Sequence, residues 1–268
     1  MDRLADRRVM VAACVLMIGL SAAGRDHAIR PVPFRVVYVD DDATGANVGT
    51  SWADAFVYLQ DALAVARRGD RIRVAQGVYK PDQGAGISAG DREATFYLVS
   101  DVTLAGGYAG LAGGDPDERD IERYETILTG DLNGDDNEVT QAHHLSDLTR
   151  RGDNSVSVVV ADRVVASVLD GFTIRDGHAP EITGGHATDG GGGLRIIGGS
   201  LIVRRCTFTR NWGPEGGAMF IRHARGDMET LSEIHDSRFL VNASGESGGL
   251  RIGHGLLRQR RGDVHRRG

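Results

Sequence analysis

A chain of 268 residues, 41% of them hydrophobic, can bury a sizeable core, but only 6% aromatic residues and as many as 38 glycines argue for short strands and many turns rather than long helices. The net charge of −6, with Lys80 the only lysine and no basic face ahead of the last dozen residues, excludes nucleic acid as a partner: neither a phosphate-tracking stripe nor an aromatic stacking platform is present.

Residues 1–23 read as a secretory signal peptide. Arg7 and Arg8 precede an apolar run from Val9 to Leu20, and Ser21-Ala22-Ala23 follows. A bilayer span takes about 20 apolar residues, so this run is too short for an anchor, and no transmembrane segment is expected after cleavage. Cys14 lies within the run, which leaves Cys206 as the sole cysteine of the mature chain and rules out an intramolecular disulfide. In "VRRCTF", Cys206 reads as a small core hydrophobe rather than a nucleophile.

Residues 24–36 form a linker, and 37–255 a single all-β domain with one amphipathic helix near its start. The spacing of Trp52, Phe56, Leu59, Leu63 and Ala66 predicts that helix over about 51–68. Ser51 and Asp54 form its capping box and Gly69 its C-terminal stop. Strand-like runs separated by Gly, Asp and Asn follow, beginning with "DRIRVAQGVY" and continuing through "VSVVVADRVVASVLDGFTI" to "GGAMFIRH".

Within these runs the chain repeats itself. Ile174, Phe208 and Phe239 hold equivalent places 34 and then 31 residues apart, and Gly192-Gly193, Gly216-Gly217 and Gly248-Gly249 each open a strand. Periods of 20–50 residues mark solenoids, and here the unit is strands joined by glycine turns, one coil of a parallel β-helix. Phe208 over Phe239 then forms an inward stack. Asn211 and Asn242, three residues after each Phe, suit turns that hydrogen-bond from coil to coil.

The F-x-x-N and Gly-Gly-apolar pattern (Phe208, Asn211, Gly216, Gly217; Phe239, Asn242, Gly248, Gly249) resembles the repeat of polymorphic outer membrane proteins, a subset of right-handed, pectin-lyase-like parallel β-helices on bacterial surfaces. "YVDDDATG", "SWADAFVYLQDAL" and "LDGFTI" resemble secreted bacterial β-helix proteins, so the likeness covers residues 37–255. It implies a secreted or cell-surface solenoid, capped by the helix, that binds or scaffolds carbohydrate or cell-envelope material. The autotransporter barrel of full-length outer-membrane members does not appear in this sequence, and Arg195 and Arg251 depart from the usual G-G-A-I.

The rival reading, implied by the same fold, is a Ca²⁺-dependent polysaccharide lyase. Such enzymes hold Ca²⁺ on a carboxylate cluster while a basic residue takes a proton. The candidates are Asp170, Arg175 and Asp176 facing one outer groove; the neighbouring His178, like His186, reads as a surface residue among glycines. Asp131, Asn133 and Asp135 alternate as in the first half of many Ca²⁺ loops, without the glycine and glutamate of an EF-hand. Asp40-Asp41-Asp42 is a weaker cation candidate, and four Arg-Gly-Asp tripeptides, starting at 68, 151, 225 and 261, are discounted as adhesion signals. The last stretch, 256–268, carries five arginines and no further F-x-x-N. It reads as a tail from truncation or a frameshift, and the final coil is expected to self-associate through its open edge.

Overall fold

The computed structural model describes residues 34–136, 141–180, 190–222, 231–245, 250–252 and 256–260. The signal peptide, His186, Gly248 and Gly249 lie outside them. The chain is mostly β, with parallel pairing throughout its sheets. Strand β1 (Val36–Val39) leads into helix α1 (Leu59–Val65), and the chain then passes through three sheets in turn. The first coil is β2 (Arg71–Ala75), β3 (Gly77–Tyr79) and β4 (Phe96–Tyr97); the second is β5 (Thr103–Tyr108), β6 (Thr126–Thr129) and β7 (Val159–Asp162). A short helix, α2 (Leu148–Arg151), precedes β7. The third coil is β8 (Ser167–Asp170), β9 (Thr173–Arg175) and β10 (Leu194–Ile197). The fourth is β11 (Leu201–Arg204), β12 (Thr207–Thr209), the two-residue β13 (Trp212–Gly213) and β14 (Met219–Arg222). The fifth is β15 (Leu231–His235), β16 (Arg238–Leu240), β17 (Ala243–Ser244) and β18 (Leu250–Ile252), after which β19 (Leu256–Arg260) extends the first sheet beyond the expected boundary at 255. Sheet A is ordered β1-β2-β5-β8-β11-β15-β19, sheet B is built on β3, β6, β9, β12 and β16, and sheet C on β4, β7, β10, β14 and β18. Each strand pairs with its counterpart one coil away, an arrangement compatible with a β-helix.

Register explains the sequence pattern. Alternating strands such as β15 bury every second side chain, because strand side chains point to opposite faces in turn. Ile72, Leu104, Leu169, Val203 and Ile234 stack through sheet A. Tyr79, Leu128, Ile174, Phe208 and Phe239 stack through sheet B, where the last two rings lie 5.1 Å apart and 8° from parallel. Phe208 is fully buried and Phe239 only partly, so Phe208→Ala is expected to cost about 3 to 5 kcal/mol and Phe239→Ala less. Urea melts of the two variants check the order.

The corners repeat as faithfully as the strands. Gly171, Arg205 and Asp236 each turn the chain from sheet A to sheet B with φ of +79°, +52° and +45°. Asp176, Arg210 and Val241 do the same between sheets B and C, at +62°, +55° and +46°. One left-handed residue is enough to bend a strand out of its sheet. Just past the second corner, Asn211 Nδ2 donates to the Ile174 carbonyl (3.0 Å) and its Oδ1 accepts from the Gly177 amide (3.0 Å). Asn242 repeats the step, donating to the Phe208 carbonyl (2.8 Å) and accepting from the Asn211 amide (3.0 Å). Next come the glycine openings. A Cβ on Gly217 would lie 1.8 Å from the Ala243 carbonyl oxygen, and one on Gly192 would lie 2.1 Å from that of Trp212, so neighbouring coils touch backbone to backbone.

The helix is shorter than its apolar spacing predicts. Trp52, Leu59 and Leu63 are buried as expected, but residues before 59 are not helical. Phe56 pairs with β1 instead, its amide donating to the Tyr38 carbonyl (2.9 Å) and its carbonyl accepting from the Asp40 amide (2.9 Å). Ser51 and Asp54 do hydrogen-bond to each other, closing a turn rather than a helix end. Gly69 has φ of +85° but stands beyond a helix that stops at Val65. No helix among the described residues is long and apolar enough to cross a membrane.

Candidate functional site

Asp170 and Asp176 sit at the two ends of β9 and do not face a common groove. Asp170, 1% exposed, ends β8 in register with Arg204. Three arginines converge on its carboxylate: Arg204 Nε at 3.0 Å, Arg205 Nε at 2.8 Å and Arg119 Nη1 at 3.3 Å. Burial alone would raise the Asp170 carboxyl, but hydrogen bonds and charge from Arg205 and Arg119 outweigh it and hold the group below the ordinary carboxylate range. A carboxylate so engaged is a structural hub; it has no free oxygen face to offer a cation and no proton to exchange near neutral pH.

In front of this hub, on the outside of the A-to-B corner, lies a cleft of about 400 Å³. Its floor takes the same positions from three successive coils: Gly171 to Thr173, Arg205 to Thr207, and Asp236 with Arg238. The loop before β6 bounds it with Ile121, Glu122 and Glu125. Thr173 Oγ1 donates to Glu125 Oε1 (2.7 Å), and Arg238 Nη2 stands 3.6 Å from Glu122 Oε1. Cys206 lines the base as a buried hydrophobe, its thiol pushed up to about 12 by burial, so it is no nucleophile.

Asp176 belongs to a buried polar chamber under the B-to-C corner. Arg210 Nη2 donates to Asp176 Oδ2 (2.7 Å) and Arg175 Nε lies 3.3 Å from the same oxygen. Arg151, wholly buried at the end of α2, reaches Asp136 Oδ2 (3.5 Å) and Asp176 Oδ1 (3.9 Å). Asn154 Nδ2 bridges Asp136 Oδ2 and the Asp176 carbonyl, both at 2.6 Å. His178, expected on the surface, is fully buried here and stacks on Trp212 with centroids 4.9 Å apart. Burial, then the charges of Arg151 and Arg92, push His178 down to about 3, so it is neutral. Burial pushes Asp136 up to about 6 against the pull of Arg151 and Asn154.

The loop 131–136 lies beside this chamber. Carboxylate oxygens of Asp131, Asp135 and Asp153 fall within 4.8 Å of one another, so the third acid comes from beyond α2, with Asn133 exposed. Asp131 already accepts from the amides of Gly134 (2.7 Å) and Asp135 (3.1 Å) on one oxygen and of Asp136 (3.2 Å) on the other. Asp40, Asp41 and Asp42 make a similar trio, in which Asp40 accepts from the Leu111 and Asp42 amides. Two of the Arg-Gly-Asp tripeptides are tied into the fold: Asp70 is buried against Arg35 (2.6 Å), and Arg151 is the chamber's cation.

The Ca²⁺ chemistry implied by the lyase likeness does not fit Asp170, Arg175 and Asp176: the two carboxylates are occupied by arginines, and Arg175 is turned toward one of them. The arginines at 119 and 151 are hidden from sequence reading because nothing local links them to their acidic partners, whereas Asp170 with Arg204 and Asp176 with Arg210, each pair 34 residues apart, follow from the repeat. Comparison with protein families, characterised proteins and solved structures finds no match to this chain.

Proposed function

We propose that the chain is a secreted or cell-surface right-handed parallel β-helix of the pectin-lyase-like kind, with repeats like those of polymorphic outer membrane proteins, and that it binds carbohydrate or cell-envelope polymer without cleaving it. The observation that carries the reading is the cleft at the A-to-B corner, floored by equivalent residues of three coils and lined by side chains that donate and accept hydrogen bonds. The engagement of Asp170 and Asp176 by arginines argues against the lyase alternative. Retardation of the protein in gels cast with soluble polysaccharides tests binding, with Thr207→Trp as the variant that fills the cleft from an outward-facing strand position. Wild type is expected to be retarded and Thr207→Trp to run freely. Steady release of unsaturated uronate that disappears in Asp170→Ala and Arg175→Ala would instead establish the lyase.

A structural Ca²⁺ belongs to the same proposal, held by Asp131, Asp135 and Asp153, whose hard oxygen donors suit that ion. Calcium is expected to raise the melting temperature and EDTA to reverse the shift, because an ion that binds only the folded chain stabilises it. Asp153→Ala should abolish the response; an unchanged melting temperature in wild type removes the ion from the proposal.

A further inference from the structure

We infer that the ligand of the A-to-B cleft is a neutral polyhydroxylated polymer rather than an acidic one, an inference that rests on the carbohydrate-binding reading above. The argument is the balance of charge around the cleft. Arg119, Arg204 and Arg205 meet on Asp170 behind its floor, an arrangement that by itself carries surplus positive charge and would draw an anion. The cleft lining cancels that surplus. Glu122, Glu125 and Asp236 stand around the opening against a single further arginine, Arg238. Four guanidinium groups thus face four carboxylates, and the two signs alternate: Asp236 follows Arg205 at the next coil of the same corner, and Glu122 lies across from Arg238.

A chain of uronates laid along this floor would bring its charges against three carboxylates, and a polyamine would meet the arginines. Like charges set opposite each other work against binding and against the wrong partner. Sugar hydroxyls have the opposite relation to such a lining. Each hydroxyl is both donor and acceptor, so a pair of adjacent hydroxyls can accept from Arg205 or Arg238 and donate to Glu125 or Asp236. Thr173 and Thr207, stacked on neighbouring coils, add hydroxyls of their own, while Ile121 offers apolar surface for the C–H face of a sugar ring.

The test is affinity electrophoresis of the full chain against two sets of probes: neutral polymers (a soluble cellulose ether, a galactan and a mannan) and the acidic polymer polygalacturonate. At least one neutral polymer is expected to retard wild type, with apparent affinity at least tenfold weaker in Thr207→Trp, whose melting temperature reports that the fold is intact. Raising ionic strength from about 0.1 M to about 1 M shortens the screening length from about 10 Å to about 3 Å. Neutral-polymer retardation should survive this change. The double variant Glu122→Gln/Asp236→Asn leaves the site positive and should gain retardation by polygalacturonate at low salt. Retardation by polygalacturonate alone, lost at high salt and in Thr207→Trp, would overturn the inference while leaving carbohydrate binding at the cleft in place. No retardation by any probe would overturn both, and retardation unaffected by Thr207→Trp would move binding away from the cleft.

Discussion

Replacing Arg151 by Leu should destabilise the protein by about 3 to 5 kcal/mol, the range found when one member of a buried ion pair is removed and its partner is left uncompensated. Arg151 is wholly buried, and Asp136, 2% exposed, has no other cation at its carboxylate among the described residues. Asp176 keeps Arg210 and Arg175, so the penalty falls mainly on Asp136. The double variant Arg151→Leu/Asp136→Asn should therefore recover a good part of the loss, and urea denaturation of wild type, both singles and the double closes the cycle. With total stabilities commonly about 5 to 15 kcal/mol, the single variant can fall near the edge of folding. In that case recovery of soluble, cooperatively melting protein by the second substitution is the readout. A single variant within about 0.5 kcal/mol of wild type, the range of most surface substitutions, would show that Arg151 is dispensable.

Acid should expose two opposing groups in the same chamber. His178 is lowered from 6.5 to about 3, so its contribution to stability is complete above 6.5 and is lost as pH falls toward 3, by up to about 4 to 5 kcal/mol at about 1.4 kcal/mol per unit. Asp136 is raised from 3.8 to about 6, so the folded chain takes up its proton first and stability rises as pH falls from 6 to 3.8, by about 3 kcal/mol. Between about pH 6 and pH 4 the two slopes cancel, and wild-type stability is expected to be nearly level. Below that window the His178 loss is unopposed, and Asp170, held low by its arginines, adds a loss of the same sign. Urea midpoints across pH test this directly. Asp136→Asn should turn the level stretch into a fall of about 3 kcal/mol, and His178→Phe, which keeps a ring against Trp212, should turn it into a rise. Parallel curves for wild type and both variants would break the link to these two groups.

The repeating part of the fold was legible because repetition is local information. Phe208 and Phe239, and Asn211 and Asn242, declare their equivalence by spacing, and the structure stacks them in that register. The glycine pairs are offset by one residue from the expected alignment: Leu194 pairs with Met219, so Gly191 and Gly192, not Gly192 and Gly193, match Gly216 and Gly217. The helix is shorter than the spacing predicts because Trp52, buried, and Phe56, partly buried, are held by other contacts: the Phe56 backbone hydrogen-bonds with β1, a tertiary demand that helical spacing cannot reveal. The chamber was illegible for a related reason. "LTRRGDN" has the composition of a solvated turn, and nothing local shows that Arg151 and Asn154 face inward toward Asp136 and Asp176. His178, flanked by glycine, gave the same false impression of exposure. Asp170, a candidate for lyase chemistry by its sequence, is gripped by three arginines that make it a fixed group rather than a reactive one, a demand that its own segment does not reveal.

The glycine contacts between coils have a consequence for how the sequence can change. At Gly192 and Gly217 the distance from one coil to the next is set by main chain against main chain, with no side chain between to shrink or grow in compensation. A residue elsewhere in the stack can be exchanged for another of similar volume, and the disturbance stays at its own rung. A single methyl at either glycine acts instead like a dislocation in a crystal: it wedges one corner open, and every later coil must follow the tilt or break its pairing with the coil before. The corner at β13 and β17, where these glycines press on the next coil, would be the first feature to lose its shape.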